Sequence, residues 1–370
     1  MPSRTFSIDT AFETCQRAQL GWNDILRRAQ GEVISTFGLG AIEHPYDVIH
    51  SGSHWRLRHY GHRDGLRPVL VVSAPIKKPY IWDLAPSVSA VGYCLQQGLN
   101  LFLLEWMPAS RRSGNPGIDD CTTAIDDCTS MISNVCAGTK PFLIGHSLGG
   151  TLALIFAATA PEKVRGLVLL CAPLCFKPGK SQFRDALVSL LPRKLSEADS
   201  VPGSLLSLMS ALASPGTFIW SRLTDAVLSF SDQHALDIHA RVERWALDEV
   251  PLPGKLVHQM VEWLYRENRF CDGALMAKGR LVGPLNVFTP LLAVVNTADE
   301  IAPLASVKPF FDQVPTSDTK ILEYPGETGV VLQHLGILIG REAYAHVWSD
   351  IISWLDLRCR QSDQIETRAP

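Results

Sequence analysis

Pro141-Phe-Leu-Ile-Gly145-His146-Ser147-Leu148-Gly149-Gly150-Thr151-Leu-Ala-Leu-Ile-Phe-Ala-Ala-Thr159 reads as three pieces. The run 141–145 is short, apolar and bounded by Pro and Gly, which predicts a buried strand. Residues 148–159 form a longer apolar run that predicts a helix. Between them lies Gly145-His146-Ser147-Leu148-Gly149, a G-x-S-x-G. A serine on a sharp strand-to-helix turn needs small residues on both sides, because the backbone is crowded there. The turn also sets Ser147 at a helix N-terminus, where unpaired N–H groups favour developing negative charge. The stretch 141–160 is the most apolar of the chain. Its three glycines and a histidine make it a sheet centre with its covering helix rather than a membrane span.

Working outward, solid apolar runs alternate with helical spacing. Strands are expected at 68–75, 99–106, 141–145 and 164–171, and helices at 80–97, 119–135 and 148–159. Strands without polar alternation, separated by helices, mean a parallel sheet covered on both faces. The alternation stops near Pro173 and resumes with a strand at 290–296, a helix near 305–311, a strand at 320–324 and a final helix at 341–357. Residues 176–285 are rich in Leu, Ser, Pro and Trp at helical spacing. The expected organisation is an N-terminal segment 1–58, with a helix around 12–30 and a short strand. A core follows at 59–175, then a helical cap at 176–285, the second part of the core at 286–358, and a tail at 359–370. This is an α/β-hydrolase fold with a helical cap insertion.

A serine hydroxyl needs a base to take its proton, and the base needs an acid to orient it. In this fold the acid comes next in the chain and the histidine last. Asp299 lies just past the strand 290–296, at the rim where such sheets place their chemistry. Glu300 is its rival from the same turn. Of eleven histidines, His334 follows the strand 320–324 by a loop and precedes the last helix, the station of the base. The oxyanion needs two N–H donors. One is the amide of Leu148. The other comes from the loop after the first core strand, where Pro75 has no N–H; this leaves Ile76, which we favour, or Lys77.

Composition bounds the rest. Lys+Arg of 34 against Asp+Glu of 37 in 370 residues gives no electrostatic footprint for nucleic acid. No segment reads as an integral membrane span, and the N-terminus lacks a secretory pattern. Nine cysteines without a CxxC fit a reduced, cytoplasmic chain better than a disulfide framework. His50, His54, His59 and His62 match no metal-ligand spacing and are read as alternation along an exposed strand, so neither metal nor cofactor is expected.

Further motifs carry a resemblance. Ala74-Pro-Ile-Lys-Lys-Pro-Tyr-Ile-Trp-Asp-Leu84 resembles the P-P-x-N-K-x-Y-I-x-D-L signature of polyhydroxyalkanoate synthases. Asp248-Glu-Val-Pro-Leu-Pro-Gly254 with Leu264-Tyr-Arg-Glu-Asn268 resembles that family's D…LPG…Y-x-x-N stretch. Gln97-Gly98 and Leu101–Trp106 lie between these two stretches, and Asp299–Pro303 (for D-H-I-V-P) and His334-Leu-Gly336 (for G-H-x-G) come after them. The departures are Ser147 for the family's nucleophilic Cys, Lys77 for its Asn, and Gln333 for the Gly before its His. The resemblance implies acyl chemistry on (3-hydroxy)acyl esters or thioesters, CoA-linked ones included. An acyl-serine is an oxygen ester, from which transfer to water or alcohol is the natural end. The sequence therefore predicts a serine hydrolase or acyltransferase using Ser147, Asp299 and His334. The alternatives are a polyester polymerase working with Ser and a non-catalytic binding protein on a relict hydrolase fold. A small-molecule substrate is the expected partner, and a homodimer is compatible with the chain.

Overall fold

The computed structural model describes residues 8–61, 67–108, 114–193, 200–220, 223–224, 227, 232–327 and 332–366; for 8–18 and 361–366 it describes the backbone alone. The sheet has eight strands: β1 (Tyr46–Ser51), β2 (Trp55–Tyr60), β3 (Pro68–Val72), β4 (Asn100–Trp106), β5 (Phe142–His146), β6 (Gly166–Leu170), β7 (Leu291–Asn296) and β8 (Thr319–Tyr324). Their spatial order is β1-β2-β4-β3-β5-β6-β7-β8. The first two join antiparallel and the rest run parallel.

The period of two along each strand divides the core. Leu70, Val72, Leu143, Leu167 and Leu169 face helices α3 (Ile118–Val135) and α4 (Leu148–Thr159), which follow α1 (Ile8–Ile34) and α2 (Ala90–Gln96) in the chain. Val69, Val71, Ile144, Val168 and Leu170 face α2 and two C-terminal helices, Gln333–Ile339 and Trp348–Glu366. With both faces covered, polar alternation has no place in β3, β5 and β6, which is why their sequence is solidly apolar.

Some elements differ from the sequence reading. Residues 80–97 do not form one helix. A 3₁₀ turn, Pro79–Trp82, leads into two short paired strands, Asp83–Ala85 and Val88–Ser89, before α2. Pro86 breaks the helical pattern, and buried Asp83 is committed elsewhere. It accepts from the His44 amide (2.6 Å), His44 Nδ1 (2.8 Å) and Ser89 Oγ (2.7 Å). The strand bearing His59 is not exposed: β2 lies between β1 and β4, and His59 is buried, with Nε2 2.8 Å from Asn100 Oδ1. His62 falls outside the described residues.

The cysteine reading also needs correction. Cys175, just past β6, is disulfide-bonded to Cys271, with a Cα–Cα distance of 5.2 Å. The partners lie 96 residues apart, so local spacing carries no trace of the pair. Among the described residues, Cys94, Cys121, Cys128, Cys136, Cys171 and Cys359 are not disulfide-bonded. No helix among the described residues is long and apolar enough to cross a membrane.

Between β6 and β7 the chain is mostly helical, with helices α5 (Gly203–Ala213), Gln233–Leu247 and Gly254–Gln259 among others. It also contains short strands, Ser200–Val201 paired with Leu252–Pro253 and the hairpin Leu275–Ala277/Arg280–Val282, which its Leu- and Ser-rich sequence does not announce. Helix α1 docks on this region through charge. Buried Asp24 accepts from the amides of Gly203 (3.1 Å) and Ser204 (2.8 Å), capping α5 from another helix, and Arg27 pairs with Glu249 at 2.9 Å. Leu252, Leu256 and Leu264 are buried as their apolar character demands. Trp245 and Trp263 are partly covered. Trp220 is 67% exposed.

Candidate active site

The chain leaves β5, turns at Ser147 and enters α4. Ser147 has φ 53° and ψ −131°, a left-handed conformation that costs a non-glycine residue about 1–3 kcal/mol. The surroundings impose it. A Cβ on Gly145 would lie 2.5 Å from Gly150 Cα, one on Gly150 2.6 Å from Ala172 Cβ, and one on Gly149 2.2 Å from the Val72 carbonyl oxygen. The three glycines let α4 press against the ends of β3 and β5, and the Ser147 amide donates to Leu170 O at 3.0 Å on β6. Gly149→Ala is therefore expected to destabilise the protein by about 3 kcal/mol, because the obstructing atom is backbone and cannot swing aside. Denaturant unfolding measures it; an unshifted midpoint would refute this account of the turn.

Asp299 and His334 meet across the tops of β7 and β8. Asp299 is buried, and its Oδ2 accepts from His334 Nδ1 at 2.7 Å. Its Oδ1 accepts from the Ile301 amide at 2.8 Å. Burial works to raise the Asp299 pKa, but the charge and hydrogen bond of His334 and the amides of Ile301 and Ala302 outweigh it and hold the carboxyl below its ordinary range. With Nδ1–H given to Asp299, the neutral imidazole keeps its lone pair on Nε2. His334 sits in the first turn of a short helix, Gln333–Ile339, ahead of the last helix, Trp348–Glu366.

Ser147 and His334 share no hydrogen bond in this conformation; the link runs through His146. His146 Nε2 donates to the His334 carbonyl at 2.8 Å, and the two rings lie 4.7 Å apart. A carbonyl can only accept, so His146 is protonated on Nε2. Burial, and then the neighbouring His334, push its pKa down to about 3, so it stays neutral.

A second tie is formed by Gln333, the departure from the synthase pattern. Its Oε1 accepts from the Glu327 amide (2.9 Å) and its Nε2 donates to the Glu327 carbonyl (2.8 Å), as a paired strand residue would. Asn296, at the end of β7, donates from Nδ2 to the Gln333 carbonyl (2.8 Å) and Oε1 (3.0 Å). The segments carrying Asp299 and His334 are thus clamped together. Gly326, at φ 92°, permits the close approach, since a Cβ there would lie 2.5 Å from Gln333 Oε1. Neither this clamp nor His146 was singled out as functional in the sequence; the only signals are the unusual Gln333 and the place of His146 beside the serine.

The amide of Leu148 is the first of its helix and has no intrahelical acceptor. Ile76 stands four residues past β3, in the segment that follows the strand end against which Gly149 packs. Lys77, the other departure, pins that segment to the region beyond β6. Its backbone bridges to Glu249, and its Nζ donates to Glu249 Oε2 and Ala246 O, each at 2.7 Å. Burial lowers the Lys77 pKa, and Glu249 works against that shift. Trp245 adds a 2.8 Å bond from Nε1 to the Lys78 carbonyl.

A cavity of about 210 Å³ opens beside His334, lined by Gly216 and Thr217 from the region beyond β6, Glu300 next to Asp299, and Gln333. Glu300, the rival for the acid, makes no bond to His334. Its Oε2 accepts from Ser214 Oγ (2.9 Å) and Thr217 Oγ1 (2.6 Å).

A family model described as Hydrolase_4, serine aminopeptidase S33, matches residues 92–328. The chain belongs to this α/β-hydrolase family. The matched range includes Ser147 and Asp299 and stops short of His334. The resemblance to polyhydroxyalkanoate synthases extends along the chain. The poly(3-hydroxyalkanoate) polymerase subunit PhaC of Haloferax mediterranei is 28% identical over 88% of this chain and 66% of its own length. That of Haloarcula marismortui is 25% identical, over 81% and 62%, so the chain spans somewhat under two thirds of these relatives. The PhaC of Allochromatium vinosum is 22% identical over 95% of this chain and all of its own. Solved structures share the fold: Paleococcus ferrophilus monoacylglycerol lipase (TM-score 0.52, 20% identity, 82% of this chain and 99% of that one) and a soluble variant of the Saccharomyces cerevisiae monoglyceride lipase (TM-score 0.54, 14% identity, 86% and 96%).

Proposed function

We propose that this α/β-hydrolase is a serine acyl-transfer enzyme, an ester or thioester hydrolase or acyltransferase that works through acyl-Ser147 on (3-hydroxy)acyl substrates. The observation that carries the reading is the hydrogen-bonded Asp299–His334 pair beside a serine held at positive φ. His334 Nε2 takes the Ser147 proton as Oγ bonds to the substrate carbonyl carbon. The amides of Leu148 and Ile76 hold the oxyanion; Ile76 is preferred to Lys77, whose backbone is engaged with Glu249. Collapse of the intermediate breaks the bond to the leaving oxygen or sulfur, which receives the proton back from His334. Water or an alcohol then takes the acyl group by the reverse sequence. Asp299 orients the imidazole and balances its charge.

The polymerase names of the relatives favour a second reading, a polyester synthase in which Ser147 replaces Cys. A fluorophosphonate probe should label Ser147, identified by peptide mass. Incubation with 3-hydroxybutyryl esters and thioesters should yield free acid or transferred ester. Insoluble polymer would establish the second reading, and an unlabelled Ser147 would refute both.

A further inference from the structure

We infer that Lys77 is a positioning residue for the oxyanion site. Its ion pair with Glu249 fixes the loop that carries the Ile76 amide, so that the region beyond β6 and helix α1 set the place of that donor. This rests on the acyl-serine reading and on Ile76 as the second donor.

The loop after β3 is held at its two ends. At the strand end, Ser73 Oγ donates to the Leu104 carbonyl (2.6 Å) and Trp106 Nε1 donates to the Ser73 carbonyl (2.7 Å). The carbonyls of Val72 and Ser73 border Gly149, two residues past Ser147, where a Cβ would lie 2.2 and 2.9 Å from their oxygens. The start of the loop is therefore set against the Ser147 turn. Farther along, Ile76 packs on the apolar cluster that includes Leu148 and on a second one, formed by Leu252, Val257 and Val261 beyond β6. Its amide donates to no group among the described residues, as a donor kept for a ligand must.

The far end depends on Lys77. Its Nζ donates to Glu249 Oε2 and to the Ala246 carbonyl, each at 2.7 Å. The Glu249 carboxylate is buried and is fixed in turn: its Oε1 accepts from Arg27 Nε on α1 (2.9 Å) and from Ser207 Oγ on α5 (2.8 Å). Charge-assisted bonds that converge on a buried carboxylate leave it few other arrangements. Position matters here, because a misplacement of about 1 Å at a reacting centre can cost about 10²-fold. The resembled signature has Asn in place of Lys77, and that shorter side chain would stop short of both acceptors. The tie is thus a property of this chain.

The rate at which a fluorophosphonate labels Ser147 tests the inference without knowledge of the natural substrate. Ser147 Oγ displaces fluoride from phosphorus, His334 takes the proton, and the phosphonyl oxygen gathers charge as an acyl oxyanion does. Lys77→Met has a similar length and removes both bonds, while Glu249 keeps Arg27 and Ser207 and is not left a lone buried charge. The maximal labelling rate should fall about 30-fold, short of the about 10²–10³ that loss of a whole donor costs, with the half-saturating probe concentration within about threefold. Lys77→Arg, which can donate to both acceptors, should recover the rate to within about fivefold. Arg27→Gln is the structural comparison, since it removes the other ion pair of the same carboxylate on α1 rather than on the loop. It should lower the unfolding midpoint and leave the labelling rate within about threefold. Should Lys77→Met not fold, Lys77→Met/Glu249→Gln, with charge removed from both partners, carries the same expectation. An unchanged rate in the Met variant, a fall matched by Arg27→Gln, or no recovery in Lys77→Arg overturns the inference and leaves the acyl-serine reading standing. A wild-type Ser147 that takes no label overturns both.

Discussion

Ser147→Ala is expected to lower kcat by about 10⁶ with no loss of folding, since removing the nucleophile of a serine–histidine–aspartate system costs about that much. The two halves of the expectation have separate grounds. The hydroxyl caps no amide of α4, so its removal leaves no helix donor unpaired. Alanine bears the same positive φ as serine and is smaller, so the crowded turn accepts it. Ester turnover and the unfolding midpoint, measured on one preparation, test both. Activity within about tenfold of wild type would sink Ser147 as nucleophile, because what survives nucleophile loss comes from the oxyanion site and substrate binding alone.

Asp299→Asn should cost about 10⁴ in kcat, because an amide that presents its NH₂ to His334 Nδ1 selects the wrong tautomer and places the ring proton on Nε2, where the base is needed. Protein yield and unfolding should change little, since the remaining amide oxygen still accepts from Ile301, now at 2.8 Å from Oδ1. The neighbouring Glu300→Gln is the control: its carboxylate bonds Ser214 and Thr217 rather than His334, so its loss should be far smaller. If Glu300→Gln produces the large loss and Asp299→Asn does not, the acid has been misassigned. The geometry argues against that outcome: Asp299 is buried against the imidazole, and Glu300 turns toward Ser214 and Thr217.

What the sequence made legible was local. The strand, the G-x-S-x-G and the helix after it follow from the consecutive positions 141–159 of the most apolar stretch, and α4 occupies the residues expected of it, 148–159. The chain order of Ser147, Asp299 and His334 follows from strand ends, which solid apolar runs mark clearly. Long-range partners were not legible. The spacing of 80–97 suits a helix until His44, 39 residues earlier, claims Asp83. Gln333 looks like an irregularity until Asn296 and Glu327 are seen to share its amide. Glu300 reads as a second acid until Ser214, 86 residues before it, supplies its partner. Cys175 and Cys271 show the same limit.

The clamp formed by Asn296, Gln333 and Glu327 has a consequence for how such a site can change over generations. It secures the segments carrying Asp299 and His334 to each other through backbone and amide groups, and it makes no use of the Ser147 side chain. Ser147 is held separately, by the contacts of three glycines. Identity at position 147 is thus mechanically independent of the apparatus that serves it. A lineage can exchange thiol for hydroxyl there in one mutational step, with the Asp299–His334 pair already in place. Selection can then act on the chemistry of the intermediate without first rebuilding the architecture.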